Sequence, residues 1–343
     1  MKKFFKKIYS PLTPTLIAAA CLTVIAAVSA AVVTLGYADN LVMQAQGVGT
    51  LKGAVQFAQS HVTFAKDNSN RTLPNVVQER TSLLLYTPHA SDNKIDSMTV
   101  VATNGSQQLG TISLSPPQDL PKSDQVNISD KRVEYSTKTW SARLPWYWHK
   151  AGLILTLKSN TGLTQTVSGI EFSAPSELVL QHIRIGMLTA APGPTFLETN
   201  PEMAAIDYFQ KIPVSRLIVS QYNPINLNKV TLANGTIYTS ASSDWGGVYS
   251  GDMREYIGKA LISTGINLAN YGISSSGGTS QYQPAHYMQI VVHHSIGKYG
   301  NGVQQHGLSG GNGMATLYGT QGNEFSHELG HNYGLGHYPN GFA

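Results

Sequence analysis

The sequence predicts an α+β chain in two parts: an N-terminal antiparallel β-sandwich, then a domain in which strands and helices mix. Three observations carry that expectation. Short alternating runs separated by turn signals fill residues 39–175, the pattern of half-buried strands. From Leu178 onward, longer apolar strands are interleaved with capped helical segments. Near the end stands His327-Glu328-Leu329-Gly330-His331-Asn332-Tyr333-Gly334-Leu335-Gly336-His337, three histidines at helix and turn spacing around one glutamate.

The chain opens with a leader. Lys2, Lys3, Lys6 and Lys7 precede an almost unbroken apolar run over residues 16–35, and Gly36-Tyr37-Ala38 offers small residues at a cleavage site before Asp39. Residues 1–38 therefore read as a secretory signal peptide. The run is also long enough to span a bilayer, so an uncleaved anchor is the alternative and the only membrane contact expected. Ala18-Ala19-Ala20-Cys21 faintly resembles a lipoprotein site. All three readings deliver the protein outside the cytoplasm. The four leader lysines equal the whole formal charge of +4. The remainder is neutral, without the basic surface that nucleic-acid binding needs. Cys21 is the only cysteine, so the mature part has no disulfide or thiol chemistry.

In the first domain, residues 51–65 read as its one amphipathic helix and 82–86 as a strand. Residues 97–102 and 110–115 flank Asn104-Gly105, a hairpin signal, and Pro116-Pro117 closes that unit. Trp140–Leu144, 153–158 and 167–172 follow as strands, with Asn160-Thr161-Gly162 as a turn. Trp146, Tyr147 and Trp148 are read as core and domain-junction packing rather than a sugar platform.

The second domain, 176–343, begins with a strand over 178–188, then a helix over 201–210 capped by Asn200. A strand over 216–220 comes next. Residues 251–264 form an amphipathic helix through Met253, Ile257, Ala260 and Leu261, closed by Gly265. A strand over 287–293 precedes a glycine-rich stretch over 307–313, read as a flexible surface turn and not a phosphate loop, for it lacks a lysine. Residues 314–318 form the strand before the last helix. His286, His293, His294 and His306 are assigned ordinary strand and loop positions.

Residues four apart share one helix face, with Cβ atoms about 5–6 Å apart. His327 and His331 can thus reach one ion at about 2.0–2.1 Å. Glu328 points a quarter-turn away, toward a water beside the metal. Gly334 accepts the positive φ that ends a helix and brings His337 back as third ligand. Three protein ligands leave a fourth position open, the pattern of catalytic zinc. The string HExxHxxGxxH is the metzincin signature. It predicts one catalytic Zn2+ ion and peptide hydrolysis with Glu328 as general base. Asn323 is the expected cap and Glu324 favours the first turn, while Phe325, Leu329 and Tyr333 form the buried face. Metzincins carry a Met-turn after the third histidine. None precedes Ala343, so the C-terminal part of the catalytic domain is expected to be missing. Met314, Ala315 and Thr316 are expected to offer a strand edge to an extended substrate.

The segment from Asn323 to Tyr338 resembles the zinc segment of the StcE/TagA family of secreted bacterial zinc metalloproteases, which includes a ToxR-regulated lipoprotein-type peptidase. Further matches are Ile185-Gly186-Met187-Leu188-Thr189, Ile212-Pro213-Val214-Ser215-Arg216, Ala269-Asn270-Tyr271-Gly272, Ser309-Gly310-Gly311, Ser82-Leu83-Leu84-Leu85 and Trp140-Ser141-Ala142-Arg143-Leu144-Pro145. The resemblance spans most of the mature chain. It implies a zincin-type domain behind an N-terminal β-domain, with His327, His331 and His337 as ligands and Glu328 as base. It further implies export by the type II secretion machinery and mucins or other O-glycosylated proteins as substrates. Tyr338 matches a position beside the metal, where it contacts substrate or oxyanion or packs as cleft wall. Where the family reads Gly-Gly-Trp-His-Ser-Gly, this chain has Gly246-Gly247-Val248-Tyr249-Ser250-Gly251. Trp245 and Tyr249 are the aromatic residues left there to meet substrate. The alternatives are a secreted protease without a glycan requirement and a mucin-binding adhesin with an inactive site.

Overall fold

A computed structural model describes residues 45–66, 74–89, 94–120, 135–271, 288–319 and 322–337. The leader, His286 and Tyr338 lie outside the described residues. The chain is α+β and mostly sheet. Its first strands are β1 (Val48–Gly49), β2 (Gly53–Ala58), β3 (Val62–Phe64), β4 (Val76–Val77), β5 (Ser82–Pro88), β6 (Met98–Asn104), β7 (Gln107–Ser113), β8 (Trp140–Leu144), β9 (Leu153–Ser159), β10 (Thr164–Val167) and β11 (Phe172–Ser173). They form an antiparallel sheet β1-β10-β9-β6-β7, an antiparallel sheet β3-β2-β5-β8 and a small parallel pair β4-β11. Alternate residues of β6 and β9 point inward, and both larger sheets feed one core through Phe57, Leu84, Tyr86, Val100, Leu155 and Leu157. The Asn104-Gly105 hairpin and the Asn160–Gly162 turn stand where the sequence puts them, with Gly105 and Gly162 at positive φ.

Three expectations for this half are corrected. Residues 51–65 form β2 and β3, not a helix. Gly53 through Phe57 are buried whichever way they point, because both faces of β2 are covered: Val55 and Phe57 enter the core, and Gln56 on the other face meets Tyr135 Oη at 2.7 Å. Two-sided burial erases the alternation that marks a strand. The strand expected over 167–172 is interrupted: β10 stops at Val167, Gly169 turns at φ +67, and β11 starts at Phe172. Of the aromatic triplet, only Trp148 enters the core. Trp146 and Tyr147 are exposed, edge-to-face on each other at 5.8 Å between ring centroids.

The second half comprises β12 (Glu177–Met187), α1 (Phe196–Thr199), α2 (Pro201–Phe209), β13 (Arg216–Gln221), β14 (Ile225–Leu227), β15 (Val230–Thr231), β16 (Ile237–Tyr238), a π-helix Arg254–Ser263 running into α3 (Thr264–Tyr271), β17 (Gln289–Tyr299), β18 (Gly302–Gln305), β19 (Ser309–Gly311), β20 (Met314–Thr316) and α4 (Asn323–His331). One sheet runs β13-β12-β17-β20-β19, with β14 on β12 and β18 on β17. Strands β12, β13, β14, β17 and β20 are parallel, whereas β18 and β19 are antiparallel to their neighbours. One face packs on α1, α2 and α4. The opposite face packs on the π-helix and α3. Covered on both faces, β12 and β17 are buried almost without a break, polar residues such as His182, His293 and His294 included, and β17 extends to Tyr299, past the expected end.

Helix 251–264 is corrected in pitch and length. Backbone hydrogen bonds span five residues, as in Thr264 N–H to the Lys259 carbonyl, and the Ser263 hydroxyl reaches the Gly258 carbonyl at 2.7 Å. The wider turn aims Met253, Arg254, Ile257, Gly258, Ser263 and Asn267 inward and leaves Ala260 and Leu261 exposed. Gly265 does not end the helix, which continues to Tyr271. Short α1, with its Thr195/Glu198 capping box, was not expected. Among the described residues no helix is long and apolar enough to cross a membrane.

The halves meet at Arg80. Its guanidinium is buried, donates to the carbonyls of Phe209 (2.6 Å), Val214 (2.8 Å) and Ile212, and lies 4.1 Å above the Phe209 ring. Burial lowers its pKa to about 10, which leaves it charged at neutral pH. Ser215 Oγ adds a bond to the Gln78 carbonyl at 2.7 Å.

Candidate metal centre

The site is assembled by α4 and the strand it lies under. The helix starts after Gly322, which adopts φ +67. Asn323 is therefore its first residue and not its cap. Glu324 does more than favour the helix dipole: its carboxylate accepts the backbone N–H groups of Leu308 (3.1 Å), Tyr318 (2.6 Å) and Gly319 (2.7 Å). Phe325 and Leu329 are fully buried in the core, and Tyr333 packs against it as expected. Gly334, at φ +75, turns the chain and the Leu335 N–H returns to the Gly330 carbonyl. Asn332, buried, accepts the Gly313 N–H at 2.8 Å and donates to the Met314 carbonyl at 3.2 Å, fixing the helix end to the sheet.

That frame brings His327, His331 and His337 together. One ring nitrogen of each lies within 4.8 Å of the others, and ring centroids are 4.8, 5.0 and 5.1 Å apart. His331 Nδ1 donates to the Leu335 carbonyl at 2.7 Å, which leaves Nε2 as a lone pair facing the cluster. Histidines that hold metals have this arrangement, the far nitrogen fixed by a carbonyl. Glu328 is nearly buried, its oxygens 3.9 Å from His327 Nε2 and 3.7 Å from His331 Nε2. Burial raises its pKa above the usual carboxylate value, with the three histidines opposing the rise. A cavity of about 630 Å3 opens over His331, His337 and Glu328 and is walled by Leu308 to Asn312. Three imidazole nitrogen donors beside open space suit one zinc ion, which takes nitrogen ligands tetrahedrally and keeps a free position when catalytic.

The glycine-rich stretch is corrected most. Ser309–Gly311 is a strand pressed against α4. A Cβ on Gly310 would lie 1.8 Å from the Glu328 carbonyl oxygen. It is a built wall of the site, not a free surface turn. The substrate edge assigned to Met314, Ala315 and Thr316 is also corrected. Strand β20 is hydrogen-bonded to β17 on one side and β19 on the other, and all three residues are buried. The outer strand of the described sheet on this side is β19.

Trp245 and Tyr249 are 75% and 64% exposed, and neither lines the cavity. Their loop is tied to the sheet by Gly246 N–H to Asn301 Oδ1 and Gly307 N–H to the Val248 carbonyl. His293 and His294 occupy β17 and His306 the loop after β18, all buried. His293 bonds Thr316 Oγ1 at 2.6 Å, and His306 bonds Tyr299 Oη at 2.9 Å. Sequence reasoning missed Asn332, Arg254 and the true role of Glu324. The signal that could have flagged Asn332 is its place four residues after Glu328, where an amide ends the helix.

The family profile of peptidase M66 matches residues 129–343, well over half of the chain and all of the cluster. The chain belongs to the peptidase M66 family. The resemblance to StcE/TagA proteins is borne out by M66 relatives. Two proteins named ToxR-activated gene A lipoprotein, from two strains of Vibrio cholerae serotype O1, are 44% identical over 295 residues, 84% of this chain and 29% of their own. Metalloprotease StcE of Escherichia coli O157:H7 is 46% identical over 216 residues, 63% of this chain and 24% of its own. This M66 chain thus spans less than a third of the length of these relatives.

Proposed function

We propose that this chain carries the catalytic centre of a secreted zinc metalloendopeptidase that cleaves O-glycosylated, mucin-type proteins. The observation that carries the reading is the convergence of three imidazole nitrogens beside a buried glutamate, within a chain of a peptidase family. His327, His331 and His337 would hold the ion. Zinc, when bound, polarises the scissile carbonyl and acidifies water. Glu328 would take a proton from the attacking water and pass it to the leaving amine, a role favoured by the burial that raises its pKa. The substrate pairs along β19 by strand addition, the role first assigned to Met314, Ala315 and Thr316. Tyr338, next to His337 in sequence, contacts the substrate or oxyanion.

We read 39–175 as the β-sandwich and 176–343 as the metzincin-like domain. Two sheets sharing one core support the first, and an outer strand lying on the histidine helix supports the second. Names of relatives that include lipoprotein and metalloprotease support a place outside the cytoplasm; passage through the type II machinery belongs to the proposal alone. A protease without a glycan requirement is the second reading. It is favoured by Trp245 and Tyr249 standing away from the cavity lining.

The test incubates the purified chain with a mucin and with the same mucin stripped of O-glycans, beside Glu328→Gln, with zinc counted per chain. Near-stoichiometric zinc, cleavage of the glycosylated form alone and a loss of at least a hundredfold in the variant would support the proposal. Equal cleavage of both forms would favour the second reading. Zinc without cleavage of either, by this chain and by the chain extended to its relatives' length, would reject a protease and favour a binding role.

A further inference from the structure

Strand β19 walls two cavities, not one. Besides the cavity over the histidines, a second of about 220 Å3 lies between β19 and the π-helix, lined by Glu255, Lys259, Thr264, Met314 and Thr316 together with residues 309–312. The two share Ser309, Gly310, Gly311 and Asn312. They lie on opposite faces of the sheet. Ala315 packs in the core on the α4 side, whereas Met314 packs in the core on the π-helix side. Gly310 and Gly311 have no side chains, so only backbone thickness separates the two spaces.

The second cavity has a charged wall held in place from both sides. Lys259 Nζ lies 2.8 Å from Glu255 Oε2, and the buried Arg254 pairs with Glu255 Oε1 while also donating to Ser309 Oγ on β19. The lining itself holds one cation, Lys259, and one acid, Glu255, with no other acid lining it among the described residues. Arg254 backs the wall from behind and shares that carboxylate, so the cluster as a whole has two cations to one acid. Arg254 is spent on the strand and is nearly fully buried. Lys259, about a third exposed, is the cation a ligand can reach.

A chain added along β19 must send successive side chains to opposite faces. If one set meets the histidine cavity, the residues between them enter the second. We propose that this second cavity is a substrate subsite that selects an aspartate or glutamate side chain, with Lys259 as its ionic partner. The inference rests on the reading of β19 as the edge that pairs with substrate.

The test measures peptide binding by fluorescence anisotropy in zinc-loaded Glu328→Gln, so that turnover does not intervene. A set of extended peptides, each in O-glycosylated and unglycosylated form, carries Asp, Asn or Lys at one position, scanned along the peptide. The expected result is tighter binding of the acidic peptide at one or more alternate positions, by about threefold to fivefold over the Asn peptide. Adding Lys259→Glu reverses the order in favour of Lys, with Tm and zinc content unchanged. Binding with no positional charge preference, a preference that survives Lys259→Glu, or no binding at all would overturn the subsite. Cleavage of a neutral peptide by the wild-type chain and by Lys259→Glu is read separately. Cleavage without the charge preference leaves the protease reading standing and the subsite rejected. The preference without cleavage does the reverse.

Discussion

Gly310 admits no other residue, because its Cα rests on the carbonyl of Glu328 itself. Alanine there forces the strand away from the helix and moves the carboxylate on which proton transfer depends. Gly310→Ala is expected to lower stability by about 1–3 kcal/mol and cleavage by at least tenfold, read by Tm and by initial rates with zinc saturating. At this scale the sequence was most informative where a residue's role is set by its neighbours along one helix. Spacing of three and four residues is enough to align His327, His331 and Glu328, and a glycine is enough to return His337. Gly310 and Asn332 were opaque, since what they touch lies 18 and 19 residues away in the chain.

The helix beginning at Arg254 exists where expected but departs from expectation in pitch. A 3.6-residue period selects Ala260 and Leu261 for the core, but the five-residue hydrogen-bond spacing turns both out. The inward polar residues have partners only the fold supplies: Asn267 donates to the Gly313 carbonyl at 3.0 Å and accepts from Gln289 Nε2 at 2.8 Å. Pattern reading treats such residues as solvent-facing and so chooses the wrong pitch. The two pitches make opposite predictions. Leu261→Glu is expected to change stability by no more than about 0.5 kcal/mol in chemical denaturation, whereas a regular helix would bury that position and lose several-fold more. The hairpin at Asn104-Gly105 was legible because a turn is a local object, and β2 was not because cover on both of its faces removes the alternation.

On the scale of the whole molecule, two features bind the halves into one stability unit. Arg80→Ala leaves three buried carbonyls without their donor and is expected to cost about 3–5 kcal/mol. A single denaturation transition would separate into two, seen by calorimetry. Acid acts on both halves together. His149 lies in the first half and His294 and His306 in the second, all buried, with pKa values lowered by burial to about 4, 3 and 4. Each is neutral when folded, whereas in the unfolded chain it takes up a proton below about 6.5. The unfolded state then binds more protons, so stability is full above pH 6.5 and falls as pH drops toward 4. The slope is at most about 1.4 kcal/mol per pH unit for each ring. Tm measured with a chelator present, to keep metal loss out of the slope, should show this fall, and His149→Gln should flatten it. A Tm independent of pH across that window would contradict the buried neutral rings.

The Arg80 junction also sets an order in time. The arginine leaves the ribosome well before the carbonyls it serves, which lie 129 to 134 residues later. Whether it emerges from the ribosome or from the membrane it is exported across, the chain appears N-terminus first, so the first half is expected to close its core before Phe209 appears. The loop from Phe209 to Val214 then condenses onto a guanidinium already in place. A chain begun at residue 176 would have to fold that loop with nothing to receive its carbonyls, so the N-terminal half serves the catalytic half as an intramolecular template as well as a neighbour.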